Sequence, residues 1–370
     1  MTMRAHWHTC VTHFDDDLDD FIADYFSDEA RQCLLFAGAG FDPRSRRIAM
    51  KLQVELGDRL HGFLVREERQ DPAQHLREIA DANEGELRKL IPSARVANIT
   101  MFDPVDKAPV GSQRILEALG KYVWPEGITD VVLDFSALST GISFPMARFL
   151  LEKIEGREGL SFHIMTSSNP ELDMRIVGEP HSTPMFVKGF AGAPQQNLDQ
   201  EVARIWLPQL ASGRMPVFDK IKPEFNKAYR ICPIVPFPAR NPRRSDDLIA
   251  EFLPMLDEMS VDPRDLIYVS ERNPLDSYRK LTMLKQRYDR TVEDIFVPEL
   301  VLSPVGSKVM AIGALMAAIE HQLRVQHVEN IRYDYDPARE EGGSEQQDMS
   351  VHVWLHGPIY AGYEPPTPKA

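Results

Sequence analysis

Apolar positions along the chain keep two alternating rhythms. Short continuous runs suit strands buried on both faces. Each is followed by a stretch with apolar residues at helical spacing. The stretch 130–152 shows the change most clearly. Val131, Val132 and Leu133 give way to Ser136, Ser139 and Thr140 beside Gly141, and the pattern resumes with Phe144, Ala147, Leu150 and Leu151. The first half reads as an edge-type strand over 4–14 and an acidic helix over 15–26. A buried strand ending in a Gly turn follows at 33–40, with a helix at 48–56. Strands at 62–65, 96–101 and 161–166 alternate with helices at 73–90 and 113–122. Residues 170–196 lose the rhythm in Gly, Pro and Gln-rich turns, and 198–210 reads as a helix bridging two halves.

A new alternation begins with a strand at 229–235 and a helix at 246–259. It continues with strands at 265–270, 299–302, 331–334 and 351–355 and helices at 276–288 and 307–321. Residues 338–348 read as a polar mobile loop, 364–370 as a disordered tail. Strands alternating with helices imply βαβ units and parallel sheets. The expected architecture is α/β: two tandem Rossmann-like, three-layer domains with mostly parallel sheets, over 1–195 and 196–370. The halves also read as a diverged duplication. FDPRS at 41–45 pairs with FPARNPRRS at 237–245, the stretch 63–77 with 267–279, and 130–152 with 299–320.

Composition narrows the function classes. A net charge of −14 argues against bulk nucleic-acid binding, while leaving room for a local anion site. Three cysteines, Cys10, Cys33 and Cys232, with no Cys-x-x-Cys, suit reduced thiols in a cytoplasmic protein. The N-terminus has no apolar signal core, and no run reaches the ~18 residues needed to span a bilayer. No membrane association is expected.

A hydroxyl-rich turn between a strand end and a helix start can hold phosphate or ribose oxygens, through free amides and the helix dipole. Ser136, Ser139, Thr140 and Gly141 form one such turn; the alternative is a plain helix N-cap. Gly306, Ser307 and Lys308 form another, in which Gly306 permits close backbone approach and Lys308 supplies a charge. The full phosphate-loop spacing is absent there, and a capped helix explains it equally. Gly38, Gly40, Asp42 and Arg44 follow the first buried strand without completing G-x-G-x-x-G. Arg44 is a candidate anion contact, and a tight turn is the alternative. Glu271, Arg272, Asn273, Asp276, Tyr278 and Arg279 offer phosphate contacts from Arg272 and Arg279 and a base contact from Asn273 or Tyr278, or only a salt-bridged turn. His6, His8, Cys10 and His13 match no standard zinc spacing, so no metal is assigned. His163, His327 and His352 read as structural. No catalytic residue and no cofactor can be named.

Two halves with a Ser/Thr/Gly or Gly-Ser-Lys turn after an interior strand resemble the CARF and SAVED sensor domains of prokaryotic antiviral systems. The resemblance implies a cyclic-oligonucleotide ligand held at strand ends, here by Ser139, Thr140 and Gly141 and by Gly306, Ser307 and Lys308. No fused effector is recognisable, which implies a sensor or regulatory subunit with a separate protein partner. The stretch 131–143 is also similar to the ribose-phosphate loop of phosphoribosyltransferases. Phe135 and Ser136 stand where that family has an acidic pair, with Asp134 adjacent. That resemblance implies a phosphoribosyl-transferring or nucleotide-hydrolysing enzyme. A protein-interaction scaffold is the third reading.

Overall fold

The structure, a computed structural model, describes residues 5–192, 201–292, 295–335 and 348–361. Most of the loop read at 338–348, the tail at 364–370 and residues 193–197 of the Gly/Gln-rich turn lie outside them. The chain divides into two compact units, Met1–Asn169 with Arg332–Ala370, and Pro170–Ile331. The division expected after residue 195 falls instead after Asn169. The final strand, expected in the second half, belongs to the first unit.

Unit 1 contains β1 (Thr12–Phe14), α1 (Asp16–Tyr25), β2 (Cys33–Gly38), α2 (Arg47–Leu56), β3 (Leu60–Glu68), α3 (Gln74–Leu90), β4 (Arg95–Thr100), α4 (Gly111–Lys121), β5 (Asp130–Asp134), α5 (Thr140–Ile154) and β6 (Ser161–Ser168). Unit 2 contains α6 (Pro170–Arg175), β7 (Val177–Pro180), β8 (Met185–Ala191), β9 (Val202–Pro208), α7 (Met215–Ile221), β10 (Arg230–Ile231), β11 (Ile234–Pro236), α8 (Arg244–Glu258), β12 (Ile267–Val269), α9 (Pro274–Val292), β13 (Val297–Ser303), α10 (Lys308–His321) and β14 (Arg324–His327). The chain returns to unit 1 through β15 (Asn330–Asp334) and ends with β16 (Met349–His356).

The seven-stranded sheet of unit 1 runs β1-β16-β6-β5-β2-β3-β4. β4, β3, β2, β5 and β6 are parallel, and β16 and β1 are antiparallel additions at the β6 edge. All of β2 and β5 is buried, as strands covered on both faces must be. On one face Cys33, Leu35 and Ala37 pack with Leu18 and Ile22 of α1 and Ile48 and Leu52 of α2. Phe36, of opposite parity, packs against Phe63 and Tyr122.

Unit 2 repeats this order. β9 is flanked by β13 on one side and by β10 on the other; a single bridge from Gln209 to Ile234 carries the second side on to β11 and β12. β14 follows β13 in parallel, and β8 closes that edge antiparallel. Counted along the chain, the parallel strands of each unit therefore lie 3-2-1-4-5 with an antiparallel neighbour beyond the fifth. Each antiparallel neighbour comes from outside the run of its own unit's parallel strands: β16 follows all of unit 2 in sequence, and β8 precedes β9. α9 and α10 meet at Gly313, where a Cβ would come within 2.3 Å of the Pro274 carbonyl.

Several expectations change. Within the described part of the stretch 198–210, Val202–Pro208 form β9, the central strand of unit 2, rather than part of a bridging helix. The alternating VARIWLP, rich in β-branched and aromatic residues, fits a strand. β7, β8 and β14 have no counterpart among the expected elements. Ala5–Thr9 is a 3-10 turn, so only Thr12–Phe14 of the first expected strand is extended. The proposed repeats also shift. The stretch 41–45 follows the first parallel strand of its unit, but 237–245 follows the second. The pair 63–77 and 267–279 is likewise one strand out of step. Only 130–152 and 299–320 are equivalent, each the fourth parallel strand with its helix.

Candidate functional site

In a 3-2-1-4-5 sheet the chain winds in opposite directions from strands one and four, and a crevice opens outside their carboxyl ends. In unit 1 those ends are Gly38 of β2 and Asp134 of β5, and the backbones approach closely. A Cβ on Gly38 would lie 2.9 Å from the Ala137 carbonyl. The two turns singled out in the sequence, 38–44 and 136–141, therefore meet here.

Asp134 is 1% exposed. Its Oδ1 accepts hydrogen bonds from the amide and hydroxyl of Ser136, and its Oδ2 is buried without a partner. Burial pushes its pKa up to about 7, against the pull of the two Ser136 bonds; Asp42 adds to the rise and Arg44 opposes it. Ser136 is fully buried, and its hydroxyl also accepts the Ser167 amide at 2.7 Å. It ties the end of β5 to β6 and faces protein on both sides. Arg44 is 2% exposed and grips Asp42 with two nitrogens, Nε at 2.9 Å and Nη2 at 2.6 Å. Asn83 of α3 pins the same turn by donating to the Gly40 carbonyl at 3.0 Å.

Ser139 stands at the N-cap of α5, but its side chain makes no capping bond, and its buried Oγ has no partner. The Ser139 amide instead donates to Oε1 of Glu67, from the end of β3, at 2.8 Å. Arg69 holds the other Glu67 oxygen at 3.0 Å. The amides of Ile142 and Ser143 bond to the Ser139 carbonyl. Those of Thr140 and Gly141 come first in the helix, where the backbone ladder offers no acceptor. The guanidinium of Arg69 lies 4.8 Å from the ring centroid of Tyr333, and Phe41 packs beside Tyr333 and Tyr335. Glu67 thus links the Ser139 amide to Arg69, and Arg69 leads on to Tyr333 and Phe41. Glu67, Arg69 and the tyrosines carry no signal in the sequence pattern, because only the strand order brings them to Ser139.

The equivalent crevice of unit 2 lies between the ends of β9 and β13. Ser307 caps α10 in the ordinary way, its side chain accepting the Met310 amide at 3.3 Å. Gly306 faces Gln209, whose Cβ would be 3.4 Å from an added one. Gln209 is 1% exposed, donates to the Met310 carbonyl at 3.1 Å and leaves Oε1 buried without a partner. Lys308 opens α10, where the helix dipole disfavours a cation. Arg272 and Asn273 are elsewhere, at the end of β12 on the far side of β9 and β11. Asn273 caps α9 by accepting the Leu275 amide at 2.9 Å, and Arg272 is exposed. A cavity of about 440 Å³ lined by Tyr229, Arg230, Asp262 and Asp265 sits at the opposite, amino ends of these strands.

A row of histidines, half-buried His13 and buried His352 and His163, crosses the sheet of unit 1. His13 Nδ1 is 2.9 Å from His352 Nδ1, His352 Nε2 is 2.9 Å from His163 Nδ1, and His163 Nε2 is 3.1 Å from Asp130 Oδ1. Three neutral rings satisfy all three contacts if each donates towards Asp130. Phe21 of α1 stacks on His13 and His352. Burial lowers the pKa of His352 well below the ordinary value and that of His13 less, Asp17 opposing the shift at His13. Burial would raise Asp130, but hydrogen bonds from His163, Thr129 and Tyr25 hold it low. Cys10 donates to the Trp354 carbonyl at 2.7 Å. Among the described residues no group of three or more His, Cys, Asp or Glu side chains is placed to hold a metal ion. No described helix is long and apolar enough to cross a membrane.

No protein-family model and no curated protein matches the chain. Solved structures that align with it include the cytoplasmic domain of a prokaryotic cation chloride cotransporter, at 10% identity over 81% of this chain and 96% of that one, TM-score 0.22. A functionally unknown protein of Pseudomonas aeruginosa aligns at 12% identity over 83% and 95%, TM-score 0.23. A protein of the same species described as a universal stress protein aligns at 10% over 84% and 96%, TM-score 0.23. Likenesses this slight leave the fold to be argued from its own strands.

Proposed function

We propose that the chain binds a nucleotide-type phosphate ligand in the unit 1 crevice, as a sensor or regulatory subunit acting with a separate protein partner. The observation that carries the reading is the pair of buried atoms without partners at the switch point, Ser139 Oγ and Asp134 Oδ2. A buried polar atom left unpaired costs about 1–3 kcal/mol, a cost that a ligand hydroxyl or phosphoryl oxygen removes. Arg69 and the amides of Thr140 and Gly141 suit the phosphate, and Phe41 and Tyr333 suit a base. Phe135 and Ser136, standing where the phosphoribosyltransferases have an acidic pair, favour binding over phosphoribosyl transfer. A cyclic oligonucleotide and a role in antiviral defence are what the CARF and SAVED resemblance implies, and they belong to this proposal.

Calorimetric titration with adenosine 5′-monophosphate, pyrophosphate, cyclic diadenylate and cyclic triadenylate tests it. At least one should bind, and Ser139→Ala with Thr140→Ala should weaken that binding about tenfold or more. Failure of all four to bind, or full affinity in the double variant, would remove the crevice from consideration.

A further inference from the structure

Ser139 and Ser307 hold the same place in the two units, at the N-cap of the helix after the fourth parallel strand. Ser307 caps its helix; Ser139 does not. The Ser139 hydroxyl is left unused, while a carboxylate from another strand, Glu67, has taken its amide. Glu67 and Arg69 side chains are only 11% and 8% exposed, so the trio is a built, mostly dry anion cradle.

The cradle already contains an anion, and that anion is part of the chain. A carboxylate has two oxygens, and both are engaged, one by the Ser139 amide and one by Arg69 Nη1. The third donor, the Ser139 hydroxyl, has nothing to meet. A phosphoryl group presents three oxygens and would engage all three. The neighbouring Asp134 Oδ2, buried and unpaired on a different strand, is a second sign that the crevice is incomplete as it stands.

We infer that the Glu67 carboxylate occupies the position of a ligand phosphoryl group, and that the ligand enters by displacing it. This rests on the reading of the crevice as a phosphate site. Glu67 thus sets the affinity threshold. Before a ligand binds, the carboxylate satisfies Arg69 and the helix end; afterwards it must leave, since two anions cannot share one cradle.

The test uses the full chain as wild type, Glu67→Gln and Glu67→Ala, titrated with the same four compounds and melted in parallel. Glu67→Gln keeps an oxygen for the Ser139 amide and removes the charge, so it guards against a variant that fails to fold. Compounds that bind the wild type should bind both variants about tenfold or more tightly, because like-charge repulsion is relieved. Equal or weaker affinity in both variants, with a lowered melting temperature, would make Glu67 a helix cap only and overturn the inference while leaving the crevice a phosphate site. If no protein of the three binds any compound, the crevice is not a phosphate site and this inference falls with it.

Discussion

Asp134 shows how a single carboxyl can set a pH response. Its folded pKa of about 7 lies above the ordinary 3.8. Folding therefore favours the protonated form. The stability this gives is complete below the ordinary value and is lost as pH rises through the folded one. Asp134→Asn should abolish that loss. Urea denaturation of wild type and variant at about pH 5 and about pH 8 should show the gap between them widening by a few kcal/mol in the variant's favour at the higher pH. Equal pH slopes would mean that the carboxyl is hydrated. Ser139, Thr140 and Gly141 are legible as a turn because hydroxyls and a glycine interrupt an apolar pattern. Asp134 looks like the end of a strand, and Glu67 like an exposed acid at the end of another. Nothing in the spacing says that the two carboxyls share a crevice, since residues so far apart in sequence meet only through the order of the strands.

Among the elements, β2, β5 and β13 are legible because continuous apolar runs signal burial on both faces. β9 is not. Its alternation of Val, Arg, Trp and Pro with apolar residues is short enough to pass for a helix face, and reading it so puts two of three proposed repeats one strand out of step. The α9–α10 contact offers a direct check on packing. Gly313 lies on a stretch of α10 that is buried from Val309 to Ala318, so an added side chain has no open space to turn into. Gly313→Val should force the helices apart and cost about 1–3 kcal/mol or more by urea denaturation. The histidine row belongs to this scale too, since it needs β1, β16, β6 and β5 side by side. His352 is neutral when folded and would take a proton in the unfolded chain below the ordinary 6.5. Stability should therefore fall with acid below that value, by at most about 1.4 kcal/mol per pH unit for this ring. His352→Phe should flatten the acid limb of the stability profile, whatever it costs at neutrality.

For the whole molecule, the division into units is unequal in sequence. Unit 2 is one continuous segment, Pro170–Ile331, whereas unit 1 needs both ends of the chain. The whole of β16 except His356 is buried, and it covers the β6 edge along its length. A fragment of residues 170–331 should unfold cooperatively on its own. A fragment of residues 1–169 should aggregate or resist folding until residues 332–361 are supplied. Protease resistance of the separate and mixed fragments checks both outcomes. Neither expectation is available from the sequence, which shows two runs of alternating elements and no sign that the last strand crosses back.

The late position of β16 also orders events during synthesis. Every parallel strand of the first sheet leaves the ribosome before the strand that shields its open side, with the whole of the second unit translated in between. Unit 2 is therefore free to fold first, while its predecessor waits with an uncovered β6. A transcript cut short anywhere before residue 349 yields a chain whose nascent sheet invites pairing with strangers, and the cell's chaperones would meet it in that state.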